Sequence, residues 1–134
     1  MFYKIAKFLL KPIFNTLYVV KVQGLEKLPK DKGYIVCGNH IKAVDPILIG
    51  INLPDNINFM TKNELFSNKL LAFLLRKLGA FPVKRGQADL KSIKTSLKLL
   101  EEGKNIGIFP EGTRNKTGVL IAEPGIAMLA IKSK

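Results

Sequence analysis

The chain contains one histidine, His40, and it stands five residues before Asp45 in the run Gly38-Asn39-His40-Ile41-Lys42-Ala43-Val44-Asp45. An imidazole beside a carboxylate suits general-base chemistry. The aspartate fixes the tautomer and stabilises the imidazolium, and the other ring nitrogen removes a proton. On a regular helix a spacing of five turns two side chains about 140° apart, so the pair can meet only where the chain turns. Asp45-Pro46 favours such a turn, because the residue before a proline prefers extended backbone. The same spacing leaves a second reading open, in which Asp45 only caps a following helix and His40 is a surface residue.

Two further loops collect unusual polar residues, Phe81-Pro82-Val83-Lys84-Arg85-Gly86 and Phe109-Pro110-Glu111-Gly112-Thr113-Arg114. The chain has 19 lysines and three arginines, and two of the three, Arg85 and Arg114, lie here. A guanidinium binds phosphate oxygens through a planar fork where an ammonium offers a point charge, and a neighbouring glycine lets backbone approach an anion closely. Two solvated loops are the plainer alternative. The sequence has no Gly-x-Ser-x-Gly elbow, no Gly-Lys-Ser/Thr phosphate loop and no Gly-x-Gly-x-x-Gly, so serine hydrolases, P-loop nucleotide hydrolases and dinucleotide enzymes lose support. Cys37 is the only cysteine, which leaves no intrachain disulfide and no thiolate cluster for a metal. Within an apolar strand it reads as a small buried hydrophobe in a protein of a reducing compartment.

The elements that must position these loops alternate. Residues 2 to 11 have helical period, with Phe2, Ile5, Ala6, Leu9 and Ile13 on one side and Lys4, Lys7 and Lys11 within about 60° opposite. Pro12 is placed to kink or end that helix. Val19 to Gln23 reads as a strand, Gly24 to Gly33 as a polar loop, and Tyr34 to Cys37 as a buried strand that runs into His40. Asp45-Pro46 opens a helix to about Leu53, with aspartate at the cap. A strand over Ile57 to Met60, a helix over Asn63 to Lys77 and an extended segment over Ala80 to Val83 follow. Ala88 to Glu102 is helical, Ile106 to Phe109 is a short buried strand, and a last helix covers Pro124 to Lys132. This order predicts an α/β fold, a layered mixed sheet flanked by helices, with functional loops at strand ends.

With 134 residues, 47% of them hydrophobic, the chain forms a single globular domain with a real core. Its net charge of +12 implies an anionic partner. The longest uncharged stretches are nine residues, Pro12 to Val20, Gly33 to Ile41 and Pro46 to Pro54, so no segment spans a bilayer as a helix. Nor does the N-terminus have the pattern of a secretory signal. A basic helix with Phe2, Tyr3 and Phe8 beside its polar arc suits a membrane surface, where three lysines contribute on the order of 3 kcal/mol against anionic lipid. A helix packed on its own domain is the alternative. Nucleic acid ranks last among anionic partners, because the chain lacks tryptophan and has 8% aromatics with no basic-aromatic strand signature.

Asn39-His40 with Asp45 five residues on, then Phe81-Pro82-Val83-Lys84-Arg85, then Phe109 to Arg114, resemble the ordered motifs of the glycerolipid acyltransferases, most closely the lysophosphatidic acid acyltransferases. The resemblance runs from the N-terminal helix to about Ala130. It implies that His40 deprotonates the free glycerol hydroxyl while Asp45 orients the ring. The oxygen then attacks the thioester of coenzyme A or acyl carrier protein, with no acyl-enzyme and no metal or other cofactor. It further implies that Arg85, helped by Lys84, and the segment Glu111, Gly112, Thr113 and Arg114 bind the acceptor and its phosphate. The partners implied are lysophosphatidate, an acyl thioester and an anionic membrane surface met by residues 1–18 at its cytoplasmic face, with residues 19–134 as the acyltransferase domain.

Two departures from the family go with this resemblance. Members continue into a further strand with a Val-Pro-x-x-Pro-like motif, so the chain is expected to be incomplete at its C-terminus. Glu123 stands where the family is expected to carry a basic residue. A lipid-binding domain without turnover is the alternative that the first departure raises.

Overall fold

The computed structural model describes the chain except residues 85–88, 116–117, 119–121, 124 and 134. Four strands form one sheet in the order β1-β4-β2-β3, with β1 at Ile35–Cys37, β2 at Ile57–Lys62, β3 at Phe81–Val83 and β4 at Asn105–Ile108. Every pairing among them is parallel, so the expected mixed sheet is parallel throughout the described residues. Helices connect the strands: α2 (Asp45–Asn52) joins β1 to β2, α3 (Lys69–Lys77) joins β2 to β3, and α4 (Leu90–Glu101) joins β3 to β4. α1 (Phe2–Leu17) precedes the sheet and α5 (Gly125–Lys132) follows it.

The connections set the layers. Passing from β1 to β2 to β3 moves one way across the sheet, and passing from β3 to β4 moves back. Right-handed crossovers therefore put α2 and α3 on one side and α4 on the other. On the α4 side Phe81, Ile106, Ile108 and Leu129 form the core, with Leu97, Leu100 and Ile126 packed against it. On the α2 side small residues let large ones approach. A methyl group on Gly107 of β4 would lie 2.3 Å from the Phe59 ring, and one on Gly50 of α2 would lie 2.9 Å from Tyr3 Oη. Tyr3 of α1 donates to the Gly50 carbonyl at 3.3 Å and accepts from the Ile57 N–H at 3.2 Å, which seats α1 on this side.

Side-chain caps open two of the helices, α3 and α4. Asp89 Oδ1 accepts from the N–H groups of Lys91 and Ser92 at the start of α4, and Asn68 Oδ1 accepts from Leu71 at the start of α3. Gly79 and Gly103 end α3 and α4 in the left-handed conformation that favours glycine.

Four further expectations are corrected. Val19 to Gln23 is irregular chain and not a strand, and Val19 is fully exposed. α1 continues through Pro12 to Leu17. The helix expected over Asn63 to Lys77 is a 3-10 turn, Asn63–Phe66, followed by α3, because the Ser67 hydroxyl bonds the Glu64 carbonyl and Asn68 opens a new helix. Cys37 is exposed at the end of β1, where the strand leaves the sheet.

Candidate active site

Because the strands are parallel, the loops that follow them leave from one edge. In spatial order these are the His40 loop after β1, the Phe109 to Arg114 loop after β4, the Asn63–Phe66 turn after β2, and Lys84 after β3. The edge thus gathers most of the residues singled out by chemistry. Arg85 itself lies outside the described residues. Its neighbour Lys84 is exposed, and the Lys84 N–H donates to Asp89 Oδ2 at 2.8 Å, which ties the end of β3 to the start of α4.

His40 Nδ1 lies 3.1 Å from Asp45 Oδ2, and both side chains are mostly buried, at 12% and 19% exposed. Asp45 is the first residue of α2, after Val44 at the cap. Instead of capping the helix, its Oδ2 reaches back to accept from the N–H groups of Ile41 and Lys42, each at 2.7 Å. This closes the turn that the sequence spacing required. Burial pushes the Asp45 carboxyl up, but the bonds from Lys42, His40 and Ile41 outweigh it and hold the group below the usual carboxylate range. An ionised Asp45 is an acceptor, so Nδ1 carries a proton, and in the neutral ring that arrangement leaves the lone pair on Nε2. No hydrogen bond among the described residues occupies Nε2.

The ring is also held by its face. Phe109 stacks on His40 with centroids 4.2 Å apart, and Phe59 stacks on Phe109 at 5.9 Å. Phe59 in turn fills the space above Gly107. A third restraint acts on the backbone: the Asn115 N–H donates to the His40 carbonyl at 2.6 Å. Asn115 Nδ2 donates to Glu111 Oε1 at 3.3 Å, and Asn115 Oδ1 accepts from Gly118 at 2.8 Å. No motif of the sequence assigns a role to Gly107, Phe59, Phe109 or Asn115. The adjacency of Phe109 to a strand end and of Asn115 to Arg114 are the signals that mark them.

In the third loop Gly112 adopts φ +63° and its N–H bonds the Phe109 carbonyl, forming a tight turn. Thr113 and Arg114 are exposed beyond it, available to an anion. Glu111 is buried, and its Oε2 has no hydrogen-bond partner among the described residues. Its other oxygen, Oε1, accepts from Asn115, which ties Glu111 to the end of the loop. Glu123 packs beside Gly112, and its N–H donates to the Pro110 carbonyl at 2.8 Å.

The residues expected to meet a membrane divide. Phe2, Phe8, Lys4 and Lys11 are exposed on α1, Phe8 at 79%. Lys7 turns inward, and its ammonium donates to the carbonyls of Leu53 and Pro54 beyond the end of α2. Those two carbonyls satisfy it as a C-terminal cation, the role that removes it from the exposed lysine row. Among the described residues no helix is long and apolar enough to cross a membrane, and no group of histidine, cysteine and carboxylates could hold a metal ion.

A family model described as Acyltransferase matches residues 19–134. A 1-acyl-sn-glycerol-3-phosphate acyltransferase of Bacillus subtilis is 44% identical over 87% of this chain and 59% of its own length. One from Borreliella burgdorferi is 33% identical over 84% of this chain and 46% of its own. The crystal structure of the 1-acyl-sn-glycerophosphate acyltransferase PlsC from Thermotoga maritima superposes with a TM-score of 0.76 at 28% identity, covering 98% of this chain and 53% of that one. The chain therefore spans about half the length of the relatives it matches.

Proposed function

The chain belongs to the acyltransferase family, and from that premise we propose that it moves a fatty acyl group from a thioester of coenzyme A or acyl carrier protein to the sn-2 hydroxyl of lysophosphatidate, giving phosphatidate. The observation that carries the reading is the His40 imidazole, held by Asp45 at Nδ1 and by Phe109 on its face, with Nε2 left for the acceptor. The names of the relatives support the substrate.

In the proposed reaction Nε2 takes the hydroxyl proton as the oxygen attacks the thioester carbonyl carbon. Asp45 stabilises the imidazolium that forms. The C–S bond then breaks, and the imidazolium returns the proton to the leaving thiolate. No acyl-enzyme intervenes, and the chain supplies the chemistry without a cofactor. Arg114, Lys84 and Arg85 bind the acceptor phosphate, with Arg114 presented by the Gly112 turn.

Because acceptor and product are lipids, the reaction belongs at an anionic membrane surface, here the cytoplasmic face. The exposed row of α1, with Phe2, Ile5, Phe8 and Leu9, supports that placement. A lipid-binding domain without turnover would share α1 but would have no use for the His40 and Asp45 arrangement.

Mass spectrometry of lysophosphatidate vesicles incubated with the chain and each acyl thioester tests the reading. Phosphatidate is the expected product with at least one donor. Its absence with both donors contradicts catalysis by this chain. Equal use of acceptors with and without phosphate contradicts the roles given to Arg114, Lys84 and Arg85.

A further inference from the structure

Helix α3 carries an apolar row that the described residues leave exposed. Leu70 is 71% exposed, Phe73 54% and Leu74 38%, and Leu65 in the preceding turn is 45% exposed. Spacings of three and four place Leu70, Phe73 and Leu74 on one helix face. Ala72, on the opposite face, is buried and anchors α3 to the domain. Within α3 the charges are of one sign, and the exposed acid of the preceding turn, Glu64, pairs with Lys62. From Leu65 to Leu78 there is no acid, whereas Lys69, Arg76 and Lys77 all occur. The Lys77 ammonium lies over the Phe73 ring and the Arg76 guanidinium over the Phe66 ring, at 5.5 and 5.6 Å, so cations border the apolar surface directly.

The sheet order puts this row on the same side of the molecule as α1. α3 shares its side with α2 by crossover handedness, and Tyr3 seats α1 against α2. α3 begins next to the edge that bears His40, since it follows the Asn63–Phe66 turn at the end of β2. Two exposed rows of leucine, isoleucine and phenylalanine bordered by lysine and arginine, α1 and α3, thus lie on one side of the sheet.

We infer that α3 is a second membrane-contacting element, inserting Leu70, Phe73 and Leu74 into an anionic phospholipid surface while Lys69, Arg76 and Lys77 meet its headgroups. This rests on the reading of α1 as a membrane-surface helix. Apolar burial bordered by cations is the chemistry that an anionic bilayer rewards. Contact through two helices fixes the rotation of the domain on the bilayer, which one helix alone leaves free, and brings the start of α3 and the neighbouring site edge to the interface.

The chain contains no tryptophan, so Leu70→Trp and, separately, Phe8→Trp each create a single emitter at an exposed position. Emission is read with phosphatidylglycerol and phosphatidylcholine vesicles that carry brominated acyl chains, after circular dichroism has matched each variant to the parent. Both emitters are expected to shift to the blue and be quenched by phosphatidylglycerol vesicles. Arg76→Gln and Lys77→Gln are each expected to weaken that binding about fivefold. Quenching of Phe8→Trp with Leu70→Trp unchanged overturns the role of α3 and leaves α1 as the membrane helix. Quenching of neither overturns both. A blue shift of Leu70→Trp that grows with protein concentration in the absence of lipid gives the face to a second copy of the chain, and this too overturns the inference.

Discussion

Asp45 uses one oxygen to accept from His40, Ile41 and Lys42, and so the same atom shapes the loop and orients the imidazole. Its folded pKa is lowered, so the stabilisation it gives is present above the ordinary carboxylate range and is lost as pH falls through the lowered value. Comparing unfolding free energies of the parent and Asp45→Asn across acid pH should show that acid-side loss in the parent and its reduction in the variant. Parallel curves would contradict the role of the carboxylate. Asn115 acts on the same loop from the other side, through the His40 carbonyl and Glu111. Asn115→Ala leaves the backbone bond in place but removes the donor to Glu111, and turnover is expected to fall about tenfold to a hundredfold. Because His40 is the only histidine, its imidazole NMR signals report the effect directly. Unmoved signals with intact turnover would show that Asn115 does not position the ring. The His40 and Asp45 pairing was legible in the sequence as a requirement for a turn. The hold by Phe109 and Asn115 was not, because it depends on the parallel alignment of β1 with β4, separated by more than sixty residues.

At the scale of elements, the site depends on close approach between a strand and a ring. Phe59 occupies the space that a side chain on Gly107 would need, and supports Phe109, which supports His40. Gly107→Ala should displace Phe59, cost about 1 to 3 kcal/mol of stability and lower turnover even in the folded fraction. Thermal unfolding together with turnover per folded molecule checks this, and a variant with parent stability and turnover would contradict it. Helix and strand positions were mostly legible, since hydrophobic period and caps such as Asp89 and Asn68 are local. The segment Val19 to Gln23 departs from its expected strand for a physical reason. Apolar alternation marks a strand only if a neighbouring strand is there to pair with it, and the sheet places none beside these residues. Likewise the reach of α1 through Pro12 is set by tertiary contacts, including Asn15 with Asn52 at 3.2 Å, which local propensity does not contain.

For the whole molecule, a net charge of +12 is distributed over a domain with exposed apolar rows on α1 and α3 and one edge of polar loops. Binding to anionic vesicles should weaken steadily as salt rises, and retain a residue from apolar contact that salt does not remove. Salt-independent binding would contradict the charge argument. The fold class and the edge that holds the site follow from the alternation of strands and helices. The parallel order β1-β4-β2-β3 does not, because it is decided by which strands pair across the chain.

The central claim is that the His40 imidazole, oriented by Asp45, is the base for acyl transfer, and His40→Ala tests it most directly. Phosphatidate formation should fall by about 10² to 10⁴ while circular dichroism and vesicle binding stay at parent values. Full turnover in that variant would contradict the account.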